Sequence, residues 1–173
     1  SGALTEMVAN LTIGKKKYAL VEEDMIILKS RALALRELLL DDIEKDSAAF
    51  TLVMDAFGLP KVTDEEKLLR SAAIQNGLKE AAKTPYAIAT KSYEIMELAA
   101  IVVEKGNSNA KTDGLVSLML ARTAVLAALL NVQVNLDSIK EEAYVNQMSH
   151  YVRELKLKTF ALEDKVMEEY SII

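Results

Sequence analysis

Apolar residues recur at three- and four-residue spacing almost from one end of this 173-residue sequence to the other, interrupted by only 6 glycines and 2 prolines. That periodicity belongs to amphipathic helices, and so few breaks cannot supply the many turns of an all-β fold. The expectation is an all-α protein, a bundle of about six mostly long antiparallel helices joined by short loops. One helical domain over residues 1–173 is expected, because about 150 residues per domain is the usual scale and roughly 70% of the unfolded surface can then be buried.

Local signals place the breaks. The first helix runs to about Ile13 and stops at Gly14, a left-handed cap, and the basic run Lys15, Lys16, Lys17 follows. The second extends from near Val21 to the breaker Gly58-Leu59-Pro60. Thr63 with Glu66 forms a capping box for the third, and Thr84-Pro85 reads as the start of a fourth that ends at Gly106. The fifth covers the apolar stretch Leu115 to Leu136. Ser138 with Glu141 reads as a second capping box, opening a last helix with Tyr144, Met148, Tyr151, Leu155, Leu162 and Val166 on one side. Several of these helices are far longer than the mean of about 11–12 residues, so they are expected to pack against another copy of the chain.

Composition removes whole classes of chemistry. With no cysteine there is no thiolate nucleophile, thiolate metal site or disulfide. His150 is the single histidine, and Gln147 stands where a di-iron Glu-x-x-His motif needs glutamate, so no metal site is expected. His150 falls between Met148 and Tyr151 and reads as a surface residue without a role. No glycine-rich nucleotide loop exists. A net charge of −5 and the absence of tryptophan argue against nucleic acid as a partner. Leu115 to Leu136 approaches membrane-spanning length but contains Arg122, and is read as a buried helix at the centre of the bundle. The start SGALTEMVANL lacks a basic region followed by an apolar run, and a cytoplasmic setting is expected.

Some residues do not fit a plain bundle. The ridge of the second helix runs Val21, Met25, Leu28, Ala32, Leu35, Leu39, Ile43, then Asp46, then Phe50, Val53 and Phe57. A carboxylate in a core slot needs a cation, strong donors, a shifted pKa or an opening to solvent; alternatively the ridge drifts and Asp46 meets water or an arginine. Asp42, one turn earlier, either shares that face or is solvated. Asn107, Asn109 and Thr112 are turn and cap residues at a helix start, where backbone N–H groups can bind an anion, and Asp113 suits the helix dipole there. Asn131 and Asn135 lie one turn apart on the most apolar helix and must hydrogen-bond each other, a neighbouring helix or a ligand. The lysine run either attracts a carboxylate- or phosphate-bearing ligand or is merely solvated. Tyr86, Tyr93 and Met96 read as core.

The strings MVANLTIGKKKY (Met7 to Tyr18), Asp46-Ser47-Ala48-Ala49-Phe50, GLPK (Gly58 to Lys61), AAIQNGLKEA (Ala72 to Ala81), GNSNAKTD (Gly106 to Asp113) and NVQVNL (Asn131 to Leu136) form an ordered set. Through them the chain resembles the cyclodeaminase/cyclohydrolase family of folate-interconverting proteins over nearly its whole length. The resemblance implies an all-helical homodimer with no permanently bound cofactor, acting on a tetrahydrofolate derivative. The implied reaction is conversion of 5-formiminotetrahydrofolate to 5,10-methenyltetrahydrofolate with release of ammonia, or else hydrolysis of the methenyl bridge to 10-formyltetrahydrofolate. A non-catalytic helical assembly module is the reading from another class. A formiminotransferase is an implied partner. The family's glycine-rich stretch ahead of the first helix is reduced here to Ser1-Gly2-Ala3-Leu4, so that segment is expected to be absent.

The resemblance turns the flagged residues into pocket candidates. Asp46 and Asp113 are the implied acid/base and electrostatic pair, with Lys16 a further catalytic candidate. Lys15 and Lys17 suit the glutamate carboxylates of the folate, Asn107 and Asn109 belong to the same pocket, Asn131 and Asn135 suit the pterin edge, and Phe50 its face.

Overall fold

The computed structural model describes residues 1–170 and is all-α there: α1 (Gly2–Thr12), α2 (Glu22–Gly58), α3 (Asp64–Lys105), α4 (Lys111–Leu136) and α5 (Glu142–Tyr170). Single 3-10 turns cover Lys16–Val21 and Ser108–Ala110. The 42-residue α3 is the spine, and each of the other four helices packs against it. At one end Val8, Met25, Leu28 and Val102 close the core around α1. Leu35, Ile95, Met96 and Leu118 fill the middle, and Val53, Leu78, Val132, Leu136 and Met148 fill the other end.

Most of the sequence punctuation holds. Gly14 takes φ +76°, the left-handed region that glycine enters without a Cβ penalty. The Thr63–Glu66 capping box forms: Thr63 Oγ1 accepts from Glu66 N at 3.2 Å, and Glu66 Oε2 accepts from Thr63 N at 2.9 Å and Val62 N at 2.8 Å. Those backbone hydrogen bonds, Thr63's first, lower the Glu66 pKa by favouring the carboxylate.

Three expectations are corrected. The helices number five because the expected third and fourth are one, with Pro85 buried inside α3. An interior proline removes the bond that would satisfy the carbonyl four residues back and costs about 3 kcal/mol in an isolated helix. Here Asn135 Nδ2, from α4, donates to that carbonyl, Ala81 O, at 3.0 Å. A donor from a neighbouring helix thus replaces the missing backbone N–H. The second correction concerns Ser138–Glu141, which is no capping box. Gln75 holds that loop instead, donating to Ser138 O at 3.1 Å and accepting from Lys140 N at 2.7 Å, while Glu141 pairs with Lys79. Third, α4 is not buried all round. Its inner face carries Leu118, Ala121, Val125 and Val132, whereas Val116, Met119, Leu120, Leu130 and Val134 face outward. Arg122 reaches Glu163 of α5 at 2.9 Å.

Candidate functional site

Two acids one turn apart on α2 have opposite surroundings. Asp42 is only 2% exposed, and its two oxygens accept from Lys45 Nζ at 2.9 Å and Lys91 Nζ at 2.6 Å. Burial alone pushes its pKa up; the hydrogen bonds and charges of Lys91 and Lys45 outweigh burial and leave the carboxyl below its ordinary value. The fully buried acid on the ridge is therefore Asp42, the one left open by the sequence. Asp46 occupies the next slot of the same seam but is exposed.

Beside it lies a cavity of about 220 Å³. Asp46, Phe50 and Val53 of α2 line it together with Ala81 and Pro85 of α3 and Asn131 and Asn135 of α4. The fold has thus gathered four of the sequence candidates, Asp46, Phe50, Asn131 and Asn135, from positions some 80 residues apart. Asn135 Nδ2 is committed to Ala81 O and to Asn131 O, both at 3.0 Å, which leaves its Oδ1 as an acceptor facing the site. Neither the Asp46 carboxylate nor the Asn131 amide has a side-chain partner among the described residues. Phe50, 65% exposed, offers a bare ring edge and face. An acceptor-only anion, an uncommitted amide and an aromatic ring around one hollow can hold a flat, polar-edged heterocycle and handle a proton on it. A larger hollow of about 600 Å³ lies elsewhere along α2 and α3, but none of the sequence candidates lines it.

The remaining candidates meet at the opposite end. The lysine run forms the first 3-10 turn, and the Asn107–Ala110 segment folds down onto it. Asn107 N donates to Thr12 Oγ1 at 2.9 Å and Asn107 Nδ2 to Leu11 O at 2.8 Å, while Asn107 Oδ1 caps Asn109 N at 3.0 Å. Gly106 is required at this crossing, since a Cβ there would sit 2.4 Å from Val102 O. The side chain of Lys17 donates to Ser108 Oγ at 3.2 Å. Tyr18 Oη accepts from Ser108 N at 2.8 Å and lies 3.0 Å from Ser108 Oγ. These bonds, the Ser108 hydroxyl first and its N–H second, with Lys17 adding to them, bring the Tyr18 phenol down to about 8. Tyr18 and Ser108 were missed as partners; the one signal in the sequence was that each lies inside a flagged string.

Within one protomer the two groups do not converge. From Asp46 back to the start of α2 at Glu22 is two dozen residues, or ~36 Å at 1.5 Å per residue, and Asp113 to Asn131 spans ~27 Å. Asp46 and Asp113 of one chain therefore cannot face the same reacting carbon, and the lysine turn does not line the Asp46 cavity. His150 is exposed and lies 3.6 Å from Glu154, as a surface residue would. No cluster of three or more histidine, aspartate or glutamate side chains suited to a metal ion occurs among the described residues.

The chain is similar in sequence and fold to known proteins. The family model described as formiminotransferase-cyclodeaminase matches residues 1–154. A methenyltetrahydrofolate cyclohydrolase of Methylorubrum extorquens is 41% identical over 166 residues, covering 96% of this chain and 80% of that protein. The formimidoyltransferase-cyclodeaminase of Gallus gallus is 31% identical over 153 residues, 88% of this chain but 28% of that longer protein. The crystal structure of a formiminotetrahydrofolate cyclodeaminase from Thermotoga maritima superposes with a TM-score of 0.85 at 30% identity, covering 96% of this chain and 79% of that one. By sequence and by fold alike, the chain belongs to the formiminotransferase-cyclodeaminase family.

Proposed function

We propose that the chain is a folate enzyme that acts on the one-carbon unit between N5 and N10 of tetrahydrofolate, with the pterin seated in the Asp46 cavity. The observation that carries this reading is the convergence of Asp46, Phe50, Asn131 and Asn135 around one hollow. Hydrolysis of the 5,10-methenyl bridge is the first reading, supported by the 41% identity to a cyclohydrolase. Water attacks the methenyl carbon and loses a proton to a base. The N5–carbon bond then breaks, N5 takes a proton, and 10-formyltetrahydrofolate leaves with one net proton released. Asp46 is placed to receive the water's proton and, as an anion, to stabilise the cationic bridge.

Release of ammonia from 5-formiminotetrahydrofolate is the second reading, supported by the fold shared with a cyclodeaminase. Here N10 attacks the formimino carbon and gives up its proton, the formimino nitrogen takes that proton and one more from solvent and departs as ammonia, and the methenyl cation remains. A formiminotransferase would supply that substrate, in keeping with the two-activity name of the Gallus gallus relative. The cytoplasm is the setting for either reaction.

Homodimerisation completes the site. Outward-facing Ile43, Phe50 and Met54 of α2 flank the cavity on one side, and Leu130 and Val134, each 69% exposed, flank it on the other. On α4 the same apolar face continues through Leu120 and Val116 to the Asp113 end. A two-fold axis across this face makes a self-complementary contact that brings the Asp113 and lysine-turn end of one protomer to the Asp46 end of the other. Lys16, Asp113, Asn107 and Asn109 then act in trans, and Lys15 and Lys17 raise the local concentration of an anionic substrate.

The test follows absorbance decay of the methenyl compound beside a coupled ammonia assay on the formimino compound. Turnover of either that falls at least a hundredfold in Asp46→Asn supports the reading. No turnover of either substrate by the wild-type chain would overturn it.

A further inference from the structure

Each of the two reactions needs a proton delivered to a departing nitrogen, and the carboxylates assigned to the chemistry, Asp46 and Asp113, are suited to accept one rather than to give it. His150 is exposed on α5 and lines no part of the Asp46 cavity. A lysine ammonium releases its proton only near pH 10. The role of proton donor is therefore open, and one side chain at the lysine-turn end has the surroundings for it.

Tyr18 stands where the first 3-10 turn meets the Asn107–Ala110 segment, half-buried, with donors gathered on its phenol oxygen. Ser108 N donates to that oxygen at 2.8 Å, Ser108 Oγ lies 3.0 Å from it, and Lys17 Nζ donates to the Ser108 hydroxyl at 3.2 Å. The Lys17 ammonium also stands 5.2 Å from the centre of the ring. Donors on the oxygen favour the phenolate over the phenol, which makes the hydroxyl a stronger acid. They bring it down to about 8, close to the neutral range in which a general acid works best. Lys17, Ser108 and Tyr18 also form a chain, ammonium to hydroxyl to phenolate, along which a spent proton can be replaced from solvent. Fastening the loop does not account for the arrangement, because Asn107 already ties that segment to Thr12 and Leu11. The adjoining helix ends carry Asp24 and Lys105, which pair with each other at 3.7 Å.

We propose that Tyr18 is the general acid of the reaction, acting in trans on the one-carbon unit held at the Asp46 cavity of the other protomer. This rests on the folate reading and on the two-fold contact given with it, since the lysine turn is ~36 Å from the Asp46 cavity of its own protomer. In the hydrolysis, water bonds to the methenyl carbon and Asp46 takes its first proton. The Tyr18 phenol gives its proton to N5 as the N5–carbon bond breaks. The phenolate then takes the second proton of that water from the carbinol oxygen as the formyl group forms. Asp46 passes its proton to solvent, so one net proton is released. In the release of ammonia, Asp46 relays the N10 proton to the formimino nitrogen and Tyr18 supplies the second proton; Lys17, recharged from solvent, restores the phenol through Ser108.

The experiment measures kcat/KM against pH for the full chain, Tyr18→Phe and Ser108→Ala, with whichever of the two substrates the wild type turns over. The wild-type profile is expected to fall on its alkaline side with a midpoint near pH 8, since an acid must hold its proton to act. Tyr18→Phe is expected to lose about a hundredfold in kcat/KM, and that limb with it. Ser108→Ala keeps the phenol but removes the hydroxyl that lowers it most, and is expected to move the limb upward toward the free tyrosine value of about 10. A purely structural part for Tyr18 would leave the limb in place, and Ser108→Ala decides this even if Tyr18→Phe fails to fold. Co-expressed Asp46→Asn and Tyr18→Phe chains form mixed dimers in which one of the two sites is intact, so about a quarter of wild-type activity is expected when the chains assort at random. Three results would overturn the proposal: kcat/KM of Tyr18→Phe within about threefold of wild type, an alkaline limb that persists in Tyr18→Phe or is unmoved in Ser108→Ala, or no recovery in the mixed dimers. No turnover by the wild type would remove the folate reading together with this one, whereas an active wild type with any of those three results removes the role of Tyr18 alone.

Discussion

Asp42 and Asp46 are the same residue type on the same helix face one turn apart, yet the bundle uses them in opposite ways. Asp42 is enclosed and doubly held by Lys45 and Lys91. Asp46 is exposed at a cavity wall, and its carboxylate has no side-chain partner among the described residues. What separates them is what surrounds each: Lys45 and Lys91 close over the first, and a hollow lined by residues of α2, α3 and α4 opens beside the second. A charge with its partners in place serves stability, whereas a charge left without them in a hollow is available to a ligand.

The sharpest break of this comparison is substitution at each position. Asp46→Asn is expected to reduce turnover at least a hundredfold, measured by methenyl absorbance decay or ammonia release, while the thermal midpoint stays within about 2 °C. Asp42→Ala is expected to do the reverse. Leaving the half-buried Lys91 without its anion costs about 3 kcal/mol, a midpoint loss of roughly 6–12 °C by calorimetry, with activity per folded molecule retained. Equal losses of activity at the two positions would erase the distinction.

A subtler prediction concerns the cavity wall. Asn135→Ala removes the donor to Ala81 O and should cost about 1–3 kcal/mol in denaturant unfolding. In a Pro85→Ala background the new backbone N–H can reach that carbonyl, so the same change should cost at least 1 kcal/mol less. Full additivity of the two substitutions would contradict the role given to Asn135.

Smaller effects are expected from titration. Because the folded Asp42 pKa lies below its unfolded value, its contribution is present above about pH 4 and is lost as the pH falls through the folded value. An acid-unfolding curve of Asp42→Asn should therefore be flatter than wild type below pH 4. Tyr18, also lowered, contributes stability that grows as the pH rises from about 8 to about 10, where the folded phenol is ionised and the unfolded one is not, and that is fully present above this interval. Tyrosinate absorbance should show one early step near pH 8 that is absent from Tyr18→Phe, since Tyr86, Tyr93, Tyr144 and Tyr170 are pushed upward by burial.

Much of this was legible in the sequence because it is local. Gly14, the Thr63–Glu66 box, the Gly58-Leu59-Pro60 stop and Gly106 each act within one turn of chain, and the helix boundaries there agree with the signals. Pro85 misled because the group that tolerates it, Asn135, is 50 residues away and on another helix. Asp42 and Asp46 could not be ranked from spacing, since both fit the ridge and only burial and the lysines that reach Asp42 tell them apart. The ordered strings carry the candidate side chains, and their division between two ends of the bundle follows from antiparallel connection. That topology pairs residues 15–17 with 106–113 and residues 46–50 with 131–135.

The central claim is that the Asp46 cavity seats the pterin, and a crystal structure of the protein with 5-formyltetrahydrofolate tests it most directly. The account predicts the ring against Phe50, with polar edges within hydrogen-bond distance of Asp46 and Asn131. A pterin bound elsewhere, with Asp46 facing only solvent, would contradict it.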